Sequence, residues 1–232
     1  MNKRVIVCAV AVALTAGFTA SASATKVPTA PGGNTLKCFD GTTDTADYYV
    51  PNNIDAEFGG HCILPTSGSK GAAILDLSNA TTARDGDYAG VYVEQTTLAG
   101  ATLGSVTQLG YQYVGTKVPT LGDLSLNLPV DENGDNSGTD NYAFVDAANC
   151  PGANGVVSVI GDPTCGVVYG GVLYSNWSAF AAAFPTATIL SDIATGVVPF
   201  IIAERTPTED PFSFTVSNVK LGKGGSLPGK KH

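Results

Sequence analysis

Histidine is nearly absent from this sequence, and so is positive charge. His61 and His232 are its only histidines, and 12 Lys+Arg stand against 20 Asp+Glu, a formal net charge of −8. Two histidines cannot build a histidine-rich zinc site, and no Cys-x-x-Cys pair supplements them. So acidic a chain is repelled by phosphate backbones, so nucleic acid is not an expected partner. Long apolar runs are missing too, with one exception at the start. MNKR is followed by VIVCAVAVALTAGFTA and then SASA, the order of a secretory signal peptide: basic start, apolar middle, small-residue exit. Ala22-Ser23-Ala24 places cleavage before Thr25. No later apolar run has spanning length, so no transmembrane anchor is expected and the mature chain is expected outside the cell.

Export changes how the cysteines read. Cys8 leaves with the signal, and Cys38, Cys62, Cys150 and Cys165 remain. An even number in an exported chain points to disulfides rather than metal ligands. Three connectivities are open; the expected one joins Cys38 to Cys62 and Cys150 to Cys165, because each pair sits in one turn-rich stretch. The organisation follows: a signal peptide over 1–24, an extended leader rich in Pro, Gly and Thr over 25–37, one domain over 38–222, and a Gly-rich basic tail over 223–232. TKVPT occurs at Thr25–Thr29 and again at Thr116–Thr120, but the flanks differ, so it marks no repeat.

What is abundant is punctuation. Twenty-eight glycines and 13 prolines divide the chain into short segments, many alternating with period two. GDLSLNLPV puts Leu124, Leu126 and Leu128 on one face with Ser125 and Asn127 opposite. FSFTVSNVKLG aligns Phe212, Phe214 and Val216, then slips phase at Ser217-Asn218, where a bulge is expected. VTQLGYQYVG aligns Leu109, Tyr111 and Tyr113. With AILDL, AGVYVEQ, NYAFVDA, GVVSVI, GVVYGGVLY and GVVPFIIAE, about ten strands predict an all-β, antiparallel sandwich of jelly-roll type. One short helix is expected in NWSAFAAAFP, capped by Ser175 or Asn176 and stopped by Pro185, with Trp177, Phe180 and Phe184 facing the core.

The late W-x-x-F-x-x-x-F-P helix, GVVPFIIAE and the closing FSFTVSNVKLG strand give the span Gly71–Gly222 a pattern that resembles bacterial secreted sandwiches of the laminin-G or concanavalin-like type. The resemblance implies a jelly roll. Many members of that group bind glycans, some bind calcium and some are hydrolases; no diagnostic residue set is matched, so none is transferred.

Candidate chemistry is sparse. GGHC at Gly59–Cys62 and GDNSG at Gly134–Gly138 resemble fragments of chymotrypsin-like motifs, with His61 as base, Ser137 as nucleophile and Asp76 or Asp87 as orienter. Asn136 is inserted before the serine and Thr139 stands where a second Gly is needed, which spoils the oxyanion hole. A glycosidase needs paired carboxylates; Glu94, Glu204 and Asp146 sit at strand ends, none with an acidic partner two residues along its own strand. LPTSG at Leu64–Gly68 departs from a sortase signal at Ser67 and lacks an apolar tail after it. The sequons at Asn79 and Asn176 carry little, because the source is not legible.

Two binding readings remain. DENGDNSGTD offers Asp131, Asn133 and Asp135 at alternate positions, with Asp140 to close a calcium shell, at the tip of a hairpin between Leu124–Val130 and Asn141–Ala147. Calcium is therefore the one expected cofactor. Tyr88 and Tyr92 beside Asp85 and Asp87 pair aromatic faces with hydroxyl-binding oxygens, the chemistry a sugar requires. The expectation is a secreted, non-catalytic sandwich that binds a polysaccharide or cell-surface glycan. The alternative is a surface or matrix protein without a small ligand, and a serine or glycoside hydrolase ranks third.

Overall fold

A computed structural model describes residues 36–41, 59–64, 71–78, 87–93, 98–135, 138–150, 155–192, 196–206 and 208–223. Among them the chain forms an antiparallel β-sandwich with one short α-helix. The strands are β1 (Leu36–Asp40), β2 (His61–Ile63), β3 (Ala73–Leu77), β4 (Asp87–Val93), β5 (Ala101–Thr102), β6 (Val106–Gly115), β7 (Leu124–Asp131), β8 (Asn141–Asp146), β9 (Val156–Ser158), β10 (Val167–Tyr169), β11 (Val172–Tyr174), β12 (Thr188–Ile189), β13 (Phe200–Arg205) and β14 (Phe212–Lys223). The helix α1 spans Trp177–Ala183.

A nine-stranded sheet runs β1-β4-β13-β7-β8-β10-β11, with β12 and β5 continuing from β7; a five-stranded sheet runs β2-β3-β14-β6-β9. The chain passes repeatedly from one sheet to the other, and most sheet neighbours lie far apart in sequence. The count exceeds the ten expected from the sequence. One reason is that GVVYGGVLY folds into two strands, because Gly170 and Gly171 both take positive φ (56° and 79°) and turn the chain back as a two-residue hairpin.

The core lies between the sheets. Leu124, Leu126, Leu128 and Val130 point into it from β7, Val91 and Ala89 from β4, Ile201 and Ala203 from β13, and Phe212, Phe214 and Val216 from β14. All eight residues of β7 are buried, so this strand is covered on both faces. Pro129 falls where the β13 pairing has ended and the β12 pairing has yet to begin, a position at which a missing N–H costs little. The disulfide Cys38–Cys62 joins β1 of one sheet to β2 of the other, and Cys150–Cys165 joins the end of the β8 segment to the approach of β10. Asp40 reinforces the first tie by accepting the Cys62 N–H at 2.9 Å.

Helix α1 is capped by Asn176, whose Oδ1 accepts the Ala179 N–H at 3.0 Å. Trp177 is buried and donates its indole N–H to the Leu103 carbonyl at 3.1 Å, and its ring meets Phe180 edge-on. The only tryptophan is thus a core anchor.

The phase slip in β14 is a bulge: Ser217 pairs with Gln112 but Lys220 with Gly110, so β14 carries one extra residue against β6. Asn218 sits in it at φ 49°, a left-handed conformation that asparagine tolerates and β-branched residues do not. Asn218→Val is expected to lower stability by about 1–3 kcal/mol while Asn218→Gly stays near neutral, read by urea unfolding. Equal losses in the two variants would contradict the role given to backbone conformation.

Candidate functional site

Strand alternation sends every second side chain of the nine-stranded sheet away from the core, onto an outer face. Three registered rows define it. The first runs Lys37–Tyr92–Phe200–Asn127–Phe144 across β1, β4, β13, β7 and β8. The next, one pleat along, runs Phe39–Gly90–Ile202–Ser125–Asp146. The third sets Tyr88 opposite Glu204, whose amide donates to the Asp123 carbonyl at 3.1 Å. Tyr142 extends the face on β8. Its apolar members form a second cluster, separate from the sandwich core: Tyr142, Phe200 and Ile202 buried, with Phe39, Tyr88, Tyr92 and Phe144 half-buried around them.

The rings interlock. Phe39 meets Phe200 edge-on with centroids 5.7 Å apart and Tyr88 at 6.4 Å, and Tyr142 meets Phe200 at 5.7 Å. Glycine at position 90 is what lets Phe39 lie across the sheet, since any side chain there would run into the Phe39 ring. Between the rings sit Ser125 and Asn127, both buried, with the Asn127 amide donating to Ser125 Oγ at 3.0 Å. The half-buried rings of Phe39, Tyr88, Tyr92 and Phe144 can take the apolar face of a sugar, above a floor that the Asn127–Ser125 hydrogen bond holds in place.

Strand alternation puts two carboxyls on this side, and the charge of Asp146 also reaches Tyr111 and Tyr113 of the facing sheet, which burial first and this charge second push up. Asp146 caps the turn after β8: its Oδ1 accepts the Ala148 N–H at 2.8 Å and its Oδ2 accepts the Gly122 N–H. Burial nevertheless pushes it up to about 6, with the two amides acting in the other direction. Glu204 is pushed up to about 7, first by burial and second by the charge of Asp146.

The other face of the same strands holds them together. Asp87, next to Tyr88, and Arg205, next to Glu204, point inward and form a buried ion pair at 2.8 Å. Asp87 Oδ1 also accepts the Gly59 N–H at 2.8 Å, and Arg205 donates to the Glu209 carbonyl. Of the four residues expected to bind a glycan, Tyr88 and Tyr92 therefore share the outer face. Asp87 faces the opposite way, because adjacent strand residues alternate, and Asp85 lies outside the described residues.

The calcium candidates occupy a chain of local turns. Asp131 Oδ1 accepts the Gly134 N–H, Asn133 Oδ1 the Asp135 N–H and Asp140 Oδ2 the Glu132 N–H, each at 2.8 Å. Among the described residues, no three His, Cys, Asp or Glu side chains gather as a cation site. His61 pairs in register with Asp76 on β3, and Ser137 and Glu94 lie outside the described residues. A shallow depression of about 230 Å³ opens on the other sheet, lined by Gln108, Gln112, Val156, Ser158, Asn218 and Lys220 among others.

Sequence reasoning missed Phe39, Phe144, Phe200 and the Glu204–Asp146 proximity. The signal for Phe200 was present: GVVPFIIAE is apolar at every position from Val197 to Ala203, so its strand had to be covered on both faces. The carboxyl proximity had no such signal, since it arises across strands rather than along one.

No known protein family and no curated protein matches the sequence. Among solved structures, a "putative sugar binding protein" from Bacteroides thetaiotaomicron VPI-5482 aligns over 81% of this chain and 88% of that one, at 14% identity and a TM-score of 0.28.

Proposed function

We propose that this is an exported glycan-binding protein whose ligand lies across the outer face of the nine-stranded sheet. The observation that carries the reading is the face itself: four half-buried rings, Phe39, Tyr88, Tyr92 and Phe144 from β1, β4 and β8, stand around the buried Tyr142, Phe200 and Ile202. In a two-layer sandwich such a cluster is separate from the main core, so half-buried rings there, two of them tyrosines, suit a ligand of mixed character. Export is supported by the signal-like N-terminus and the two disulfides. Among the described residues no helix is long and apolar enough to cross a membrane.

Tyr92→Ala and Phe144→Ala test the reading at two half-buried rings of one row. Each is expected to weaken retention on a polysaccharide affinity gel by about fivefold, because one ring stacked on a sugar contributes of order 1 kcal/mol. Both rings are half-buried, so thermal melting should report a folded protein in each case. Failure of the parent chain to bind any soluble glycan would favour the matrix-protein alternative.

A further inference from the structure

We propose that the side chains of Lys117 and Asp123 are joined by an amide that the protein forms by itself, with Glu209 moving the protons; this stands apart from the glycan reading. The three side chains meet at the connection between β6 and β7. Lys117 Nζ lies 2.9 Å from Asp123 Oδ2 and 3.8 Å from Glu209 Oε1. Contact of this kind holds the nitrogen against the carboxyl group, in the range of roughly 3–3.5 Å from which attack begins. The pair is not an open surface pair, since the Asp123 side chain is 2% exposed and that of Lys117 28%. The Phe212 ring, with its centroid 4.0 Å from Nζ, covers the amine on one side. Each member is fixed by bonds of its own. Thr116 and Ser213 exchange two hydrogen bonds at 3.0 Å, which tie the residue before Lys117 to the residue after Phe212. The Asp123 carbonyl accepts the Glu204 N–H at 3.1 Å at the head of β7. Glu209 Oε2 accepts the Thr206 N–H at 2.7 Å and the Thr206 hydroxyl at 3.0 Å, which leaves Oε1 on the side of Lys117.

The surroundings assign the roles. Asp123 Oδ2 accepts both the Thr120 N–H and, at 2.9 Å, the Thr120 hydroxyl. Two donors aimed at one carboxyl oxygen are what a developing oxyanion needs. The Lys117 ammonium gives a proton to Glu209, and the resulting amine attacks Asp123 Cγ. Charge collects on Oδ2 under the Thr120 donors. Two protons in all pass from the nitrogen by way of Glu209 to Oδ1; the N–C bond forms, the Cγ–Oδ1 bond breaks, and Oδ1 leaves as water. An ammonium and a carboxylate thus become a neutral amide and one water, with no oxidant or activating group required. In open solution water drives such an amide back to its parts. Two groups held in contact act at an effective concentration on the order of 10⁵ M or more, well above that of water. Burial of Asp123 works in the same direction, because the amide carries no charge to desolvate. The product closes a ring over residues 117–123, across a turn whose Val118 and Leu121 are 83% and 71% exposed. Exposed turn tips invite proteolysis, and a chain cut at this one would remain joined through the amide.

The test is the intact mass of the full chain, reduced and unfolded, beside Lys117→Arg and Glu209→Gln, with fragmentation of peptides cut after Leu121. The parent is expected to be lighter than its sequence by one water, and its digest to hold a branched peptide joining Lys117 to Asp123. K117R keeps the charge pair but has no amine, so it should show its full mass. E209Q lacks the proton carrier, so its cross-linked fraction should fall by about tenfold or more. Thermal melting identifies any variant that fails to fold, in which case the parent's mass and branched peptide decide alone. A parent at full mass, or one that loses water at any other residue, overturns the amide. Equal cross-linking in the parent and a folded E209Q overturns the role given to Glu209.

Discussion

Arg205→Met is expected to lower the free energy of unfolding by about 3–5 kcal/mol, the largest effect anticipated for any single replacement behind the outer face. The guanidinium is 5% exposed and the Asp87 side chain fully buried, so removal of the cation strands an anion inside the sandwich. The Gly59 amide, a neutral donor, does not replace a full charge at 2.8 Å. The pair joins β4 to β13 at the register position Asp87–Arg205, one residue from Tyr88 and Glu204. The double variant Asp87→Leu with Arg205→Met should recover much of the loss, because apolar packing substitutes well for a buried pair once neither charge is left alone. Urea unfolding of the two variants checks both statements, and a loss under 1 kcal/mol for R205M alone would show that water reaches Asp87.

Glu204→Gln is expected to stabilise the protein in mild alkali and to leave it unchanged in acid. The folded value for Glu204 is about 7 against an ordinary 4.5, so between these limits the native state holds the proton more tightly than the unfolded chain does. Stability then falls as pH rises: the favourable contribution is fully present below about 4.5 and lost as pH passes 7. The shift corresponds to at most about 3 kcal/mol, and the coupled titration of Asp146 shares part of it. Melting curves of parent and E204Q should coincide near pH 4.5 and separate above pH 7.5 with the variant higher. A variant that melts lower at pH 8 would mean that the Glu204 anion is stabilised by groups other than those described here.

How much of this was legible in the sequence differs by scale. Alternation in GDLSLNLPV and FSFTVSNVKLG was enough to place the core leucines and phenylalanines and to locate the Asn218 bulge, because those signals lie within one strand. The helix around Trp177 was legible for the same reason. The outer face was not, because it is assembled from β1, β4, β13, β7 and β8, whose neighbours in space are as far apart in sequence as Tyr88 and Glu204. The pairing of Asp87 with Tyr88 as joint ligand contacts followed from their adjacency in the chain, yet adjacency on a strand sends two side chains to opposite sides. Glu204 and Asp146 looked isolated for the complementary reason: their electrostatic coupling arises across strands, where spacing along one strand carries no trace of it.

The central claim is where a glycan sits, and chemical-shift mapping with a bound oligosaccharide addresses it most directly. Perturbed amides and ring protons are expected on Tyr88, Tyr92, Asn127, Phe144 and Phe200 of the nine-stranded sheet. Perturbations confined to Gln108–Gln112, Val156–Ser158 and Lys220, around the depression on the five-stranded sheet, would contradict it.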